Sequence, residues 1–401
     1  MKRSLCLLLS FVVLLPLLTG CWDRHELNEL GIMLGLGVDK EGDQIRVSAQ
    51  VVVPNEISSK SAGGKGTPVT QYQATGKSLF EAIQSLTETS PRRIFMAHVR
   101  VLIFGEEYAR KEGIYDVIEA LMREPSARPD YYVMVARDTK ASEVLDLLTP
   151  LDNIPAEKLF SSLDVSAKTW APTTTVTGDQ LMDYMLTPGI HPVITGVEII
   201  GDHSKKGSIE NISTIRAAAK LNTTGLSVFK RDKLIGWLNE DESKGYNYIR
   251  DNVKSTTGIV DCPNGEGTVT LKTLRASTKR KARIINGEPQ VKIKVNVVSS
   301  VASVDCKMQI GSMTAIRELE KATQDRLKEL MEKSVNSVRR KYHVDIFGFG
   351  KEIYQTDPKF FKKHEQDWDK YFEDLDVVYE ANAQIRRVGT LDNSFKKDIK
   401  E

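Results

Sequence analysis

Four cysteines and six histidines are the side chains of this sequence with the most scope for covalent or ligand chemistry, and one cysteine stands apart by its setting. Lys2 and Arg3 open the chain, and a mainly leucine and valine run from Leu5 to Leu18 follows. At roughly 14 residues the run is short of the about 20 that cross a bilayer, and it has the length of a secretory signal core. The cationic flank stays inside during insertion and sends the downstream chain outward. The run ends Leu18-Thr19-Gly20-Cys21, small residues and then a thiol. Cleavage after Gly20 would free an amine on the residue that bears that thiol. Cys21 is therefore expected to carry an S-diacylglycerol and an N-acyl chain such as palmitate, with residues 1–20 as the signal peptide. Each buried methylene contributes about 0.8 kcal/mol, so two or more chains hold firmly where one is marginal. The expected product is an exported lipoprotein on the outer face of a cytoplasmic membrane.

The remaining candidates for chemistry do not converge. Cys6 leaves with the signal; Cys262 and Cys306 stay, and an exported location permits a disulfide without their spacing deciding between pairing and two free thiols. His25, His98, His191, His203, His343 and His364 sit at no metal-ligand spacing to one another or to a cysteine. His98, between Ala97 and Val99, reads as a structural histidine inside a strand. No Gly-x-Ser-x-Gly elbow or Lys-Thr-Gly set occurs. The Gly-Gly-Lys-Gly-Thr string at 63–67 lacks phosphate-loop spacing, and Gly35-x-Gly37 lacks a third glycine. No catalytic, cofactor or metal site is nominated, and a non-enzyme is expected. Without Lys2 and Arg3 the basic count falls from 56 to 54, equal to the acidic count of 54. That balance argues against nucleic acid as a partner.

The elements around these residues follow from periodicity. Gly31–Val38 and the alternating run Gln44–Val53 predict a hairpin turned at Asp39–Asp43, and the polar Asn55–Gln71 stretch predicts a mobile loop. Ser78-Leu79-Phe80-Glu81 is a capping box that starts a helix ended before Pro91. His98–Phe104 predicts a buried strand, Glu106–Met122 an amphipathic helix, Tyr131–Ala136 a strand, and Thr139 the cap of the helix after it. Val176–Leu186 predicts a helix and Val193–Ile200 a strand. Beyond these come a strand at Thr214–Leu221 and a hairpin of Leu226–Lys230 with Lys233–Leu238. Strand-like runs then stand at Gly267–Leu274, Lys281–Ile285 and Gln290–Val298. Apolar residues from Ile310 to Val338 recur every three or four positions and predict a long helix across an antiparallel sheet. A short helix with Trp368 and two last strands, Leu375–Glu380 and Ala383–Val388, follow. The fold class expected is α+β and multidomain, with mixed or antiparallel sheets packed with helices. The divisions expected are a signal peptide (1–20), an N-terminal region (21–200), a polar linker (201–213), a C-terminal domain (214–390) and a tail (391–401). Trp22 suits the headgroup layer or packing on the first strand. Trp170 suits a partner contact or a local clasp, and Asp345–Gly350 a turn that seats the long helix on its sheet.

An ordered series of short strings carries a family resemblance across some 370 residues. It runs through Cys21-Trp22-Asp23, Glu26-Leu27, Gly37-x-Asp39, Ser78-Leu79-Phe80-Glu81-Ala82, His98-Val99-Arg100-Val101 with Gly105, and Arg123-Glu124-Pro125 with Arg128-Pro129. It continues through Phe229-Lys230, Lys233-Leu234-Ile235-Gly236-Trp237-Leu238, Gly245-Tyr246, Asp345-Ile346-Phe347-Gly348-Phe349-Gly350, Trp368 and Arg386-Arg387-Val388-Gly389. In these strings the chain resembles the Ger(x)C family, the lipoprotein C subunits of nutrient germinant receptors in spore-forming Gram-positive bacteria. The resemblance implies a non-catalytic subunit working with a membrane A subunit and a transporter-like B subunit at the spore inner membrane. It also implies two α+β subdomains within the N-terminal region 21–200 and a separate C-terminal germination-lipoprotein domain. The alternative from the residues alone is a solute-binding lipoprotein of an uptake system, which needs two βαβ lobes.

Overall fold

The computed structural model describes Arg3, Glu26 and residues 29–54, 66–205, 207–263, 265, 267–306 and 312–387. Cys21, Trp22, His25, Ile310, the tail 391–401 and residues 55–65 of the expected mobile loop lie outside them.

Runs apolar on both faces build the centre of the first sheet. Its strands are β1 (Leu30–Glu41), β2 (Gln44–Val52), β3 (Val69–Gly76), β4 (Arg93–Phe95), β5 (Val101–Gly105), β6 (Tyr132–Ala136), β7 (Val193–Gly201), β8 (Ala219–Lys230) and β9 (Lys233–Trp237). The order is β3-β2-β1-β5-β6-β7-β8-β9, with β4 beside the start of β1. β1, β5, β6 and β7 are parallel, and antiparallel hairpins flank them on both sides. Helices cover both faces, which is why Val101–Gly105 is buried throughout rather than alternating. On one face lie α1 (Leu79–Ser85), α2 (Glu106–Lys111), α3 (Tyr115–Arg123) and, further along the chain, α6 (Gly178–Leu186). On the other lie α4 (Ala141–Asp146) and α5 (Pro155–Thr169).

Several expectations are corrected by local chemistry. β3 begins at Val69, so the polar loop ends sooner than Gln71. His98 is exposed, in the turn before β5, and not within a strand. The span Glu106–Met122 holds two helices, α2 and α3, because Gly113 takes a left-handed φ of +92° between them. Thr139 does not cap α4. The buried carboxylate of Asp39 does, accepting from Ala141 N at 2.8 Å and Ser142 N at 2.9 Å. Ser78 accepts from Glu81 N as expected, but Glu81 returns its bond to Lys77 N. The polar 201–213 stretch, with α7 (Glu210–Ser213), connects β7 to β8, adjacent antiparallel strands of this one sheet. Residues 219–237 therefore complete the first sheet although they follow that stretch. α5 had no counterpart among the sequence expectations; its local signals are Pro155 at the first turn and Leu159 with Leu163 one turn apart.

The second sheet runs β10 (Thr256–Asp261), β11 (Thr268–Ile285), β12 (Glu288–Val304) and β13 (Asp376–Arg387). The runs Gly267–Leu274 and Lys281–Ile285 are one strand, as are the two last runs, and β10 is additional. β13 joins β12 in parallel, so this sheet is mixed and not antiparallel. The long helix α9 (Met313–Tyr342) starts on the Ser312 cap and lies on the inner face. There Leu327, Leu330, Met331, Val335 and Val338 meet Val291, Ile293, Val295 and Val297. Each such side chain removed from water stabilises by about 1.5–3 kcal/mol. Arg339, Arg340 and Lys341 complement the helix dipole before the left-handed His343 closes the last turn. α8 (Glu240–Ile249) crosses α9 closely: a Cβ at Gly245 would meet the Leu330 carbonyl and lie 2.6 Å from Ser334 Cβ. α10 (Phe349–Thr356), α11 (Pro358–His364) and α12 (Trp368–Asp374) close the end of this layer. Cys262 and Cys306 are bonded and buried with Val269, Leu271 and Leu319.

Candidate functional site

Of the singled-out residues, the Asp345–Gly350 turn, Trp368 and His191 gather where the two sheets meet. Asp345 is fully buried. Its Oδ1 accepts from Phe347 N and Gly348 N, each at 2.9 Å, and its Oδ2 from Gly350 N at 2.8 Å and Trp368 Nε1 at 3.0 Å. Burial pushes its pKa up against the pull of these four donors. The fixed turn places Phe347 and Phe349 against Phe372 and Tyr246. It also presents the Phe347 carbonyl to two guanidinium groups, Arg250 Nη1 at 3.0 Å and Arg280 Nη1 at 2.6 Å. Arg250 lies over the Tyr184 ring of α6 at 5.6 Å, which ties this knot to the first sheet's helices. Gly350 and Gly189 approach so closely that a Cβ on either would sit 2.6 Å from the other's Cα. His191 N donates to Asp345 O at 2.8 Å across the same seam.

Trp237, at the end of β9, makes the second clasp. Its backbone N donates to Tyr342 Oη at 3.1 Å, and Tyr342 Oη donates to its carbonyl at 2.7 Å. Its indole Nε1 donates to Glu106 Oε1 at 3.0 Å, and the Arg137 guanidinium stacks on its ring at 5.0 Å. Burial works to raise the Glu106 pKa, but the bonds from Trp237, Asp138 N and Arg110 hold it below the ordinary value. Gly236 carries no side chain because the Tyr342 ring occupies that space. In the same way, Gly105 leaves room for the Asp39 carboxylate. The third buried acid, Glu242, accepts from Ser337 Oγ at 2.5 Å, Lys341 Nζ at 2.8 Å and Asn239 N at 2.9 Å. All three acids are thus engaged in joining elements.

Two concavities flank the seam. A groove of about 280 Å³ runs between α8, α9 and β10, with Trp170, Tyr248, Ile259 and Leu327 among its walls. Trp170 is partly exposed there, with Lys244 Nζ 4.6 Å over its ring. A polar cleft of about 840 Å³ lies between the 185–191 turn, the β8–β9 turn and residues 362–369. In it His191 Nδ1 accepts from Arg231 N at 2.9 Å, which leaves the proton on Nε2, directed at Asp369 Oδ1 3.3 Å away. Among the described residues no three of His, Cys, Asp and Glu are grouped to hold a metal ion, and no helix is long and apolar enough to cross a membrane. Trp237, Arg250, Arg280 and Tyr342 were not singled out for this junction by periodicity. A glycine lies at the close approach of three of them, Gly236 at Tyr342, Gly196 at Trp237 and Gly348 at Arg250.

The chain is thus a two-sheet α+β protein whose sheets are held together by the Asp345 turn and the Trp237 clasp. Residues 23–199 match the spore germination protein N-terminal domain, and residues 224–389 match the spore germination B3/GerAC-like C-terminal domain. Spore germination protein KC of Bacillus subtilis (strain 168) is 30% identical over 401 residues, with 98% of each chain covered. Spore germination protein B3 of the same strain is 23% identical over 397 residues, covering 98% of this chain and 100% of its own. The crystal structure of the GerBC protein shares the fold, with a TM-score of 0.56 at 20% identity over 88% of this chain and 96% of that one. The chain belongs to the Ger(x)C family of germinant-receptor C subunits.

Proposed function

We propose that this chain is the lipid-anchored, non-catalytic C subunit of a spore nutrient germinant receptor, held by acylated Cys21 on the outer face of the spore inner membrane. There it scaffolds the membrane A and B subunits and couples them to the trigger for germination. The observation that carries this reading is where the recurring residues lie. Asp345–Gly350, Trp368 and Gly236-Trp237 serve the junction between sheets and Gly245 the close crossing of α8 and α9; Trp368 alone of these borders one of the two concavities described. A body built this way transmits position. Tethering it at the bilayer raises its effective concentration for integral partners without any added contact.

Cys21→Ala is the test. The variant should leave membranes washed at about 0.5 M salt, where surface charge attraction is screened, and slow nutrient germination, while mass spectrometry of wild type finds acyl chains on residue 21. Full retention of unacylated protein on such salt-washed membranes would overturn the anchoring. The solute-binding alternative gains no support from topology, since the second sheet holds a single parallel pairing, β12 with β13. Calorimetry with amino acids, sugars and nucleosides separates the two, because tight binding by the isolated chain would favour that alternative.

A further inference from the structure

The long hairpin of the second sheet carries a block of like charge on its outer face. Val291, Ile293, Val295 and Val297 of β12 point inward and are buried. The alternate residues point outward. The register sets Lys279 opposite Lys294 and Lys281 opposite Lys292, with Arg283 and Arg275 further along the same face of β11. Strands about 4.8 Å apart and residues about 6.8 Å apart along each strand make these six cations a dense lattice. Like charges directly opposite each other on a sheet destabilise it, and here two successive rungs are of that kind. Among the described residues Lys292 is the one of the six in an ion pair, with Glu380 of β13. Arg280, on the inner side of β11, is by contrast paired to Glu352 at 3.0 Å. The cluster is a local asymmetry, because the chain beyond Lys2 and Arg3 carries equal numbers of basic and acidic residues.

We propose that this face of β11 and β12 rests on anionic phospholipid headgroups. A flat array of cations on two pleated strands complements a plane of negative charge better than it does one discrete anion. The hairpin ends in the Asn286-Gly287 turn beside Ile285, an exposed apolar residue at its tip. The inference builds on the membrane reading above. The acylated residue precedes β1 by nine residues, a reach of about 30 Å at full extension, which keeps the body near the bilayer. A lipid anchor and a basic surface acting together are a known route to firm attachment.

The test uses the mature polypeptide from residue 21 with Cys21→Ser, so no acyl chain contributes, and failure of the anchoring proposal is read separately. It should co-sediment with vesicles of phosphatidylcholine containing 30 mol% phosphatidylglycerol and not with pure phosphatidylcholine, and raising salt from about 0.05 to 0.5 M should release it. Lys279→Glu with Lys281→Glu should weaken partitioning by about 25-fold or more, since each cation near an anionic surface contributes about fivefold. The exchange converts two like-charge rungs to opposite-charge rungs, so thermal stability should hold or rise, and loss of binding cannot be laid to unfolding. Equal binding to both vesicle types, undiminished binding by the double variant, or no binding at all would overturn the proposal. So would binding to neither vesicle combined with loss of the acylated variant's co-purification with membrane subunits, which would assign the face to an acidic protein.

Discussion

Replacing Asp345 by Asn tests whether the buried carboxylate organises the junction. Asn is nearly isosteric, so packing is kept, and its carbonyl oxygen can still accept from Phe347 N and Gly348 N. The amide NH2 then faces Gly350 N and Trp368 Nε1, two donors that now lack an acceptor. Each hydrogen bond to a charged group is worth about 1.5–3 kcal/mol, a gross loss of about 3–6 kcal/mol for two. Burying a neutral amide costs less than burying a carboxylate, which returns part of this, and a net loss of about 3 kcal/mol is expected. For a unit of 150–250 residues that lowers Tm by about 6–12 °C. The assay is urea and thermal unfolding followed by tryptophan fluorescence, to which Trp368 contributes directly. Asp357→Asn is the control: Asp357 caps α11 at its partly exposed start, accepting from Lys359 N and Phe360 N, a role that Asn fills equally well. A loss below 1 kcal/mol at Asp345, or equal losses at the two positions, would refute the reasoning. Sign also matters. Burial raises the Asp345 pKa, so above the ordinary aspartate range the folded state holds more proton than the unfolded one. Stability should therefore decline as pH rises through that window in wild type and not in Asp345→Asn.

Two further outcomes follow from the same geometry. Reducing the Cys262–Cys306 bond, which closes a separation of 44 residues, should cost about 4 kcal/mol on the chain-entropy model, and Cys262→Ser with Cys306→Ser should reproduce it; unchanged denaturation midpoints with and without reductant would contradict this. For Glu242, burial works to raise the pKa, but Lys341, Ser337 and Asn239 N outweigh it and leave the folded value depressed. Its contribution is present above its unfolded pKa and lost as pH falls through the lower folded one, so the stability gap between wild type and Glu242→Gln should narrow as pH falls below the ordinary glutamate range; a gap constant with pH would count against it.

Local chemistry was enough for several features. The β1–β2 hairpin, the turn between β8 and β9, the Ser78 cap and α9 need only alternation, turn residues or 3.6-residue spacing within one segment, and each is present, although β1 runs on through Asp39–Glu41 and narrows the expected Asp39–Asp43 turn to Gly42-Asp43. So does the reading of Asp345–Gly350 as the turn seating α9, because its glycines and aromatics are contiguous. The family was legible too, since it rests on ordered strings and not on contacts. Tertiary structure decided what depends on residues far apart in sequence. Asp39 caps a helix 102 residues away and displaces Thr139 from that role. Trp237 bonds to Tyr342 across 105 residues. β11 stays a single strand through the polar stretch at 275–280 because β12 pairs with it throughout. β13 lies parallel because the chain returns through α9 to α12 before re-entering the sheet. Cys262 and Cys306 pair because β10 and the end of β12 bring them together, which no count of cysteines could decide. Periodicity records which face a residue turns inward; only the packed chain determines what that face meets.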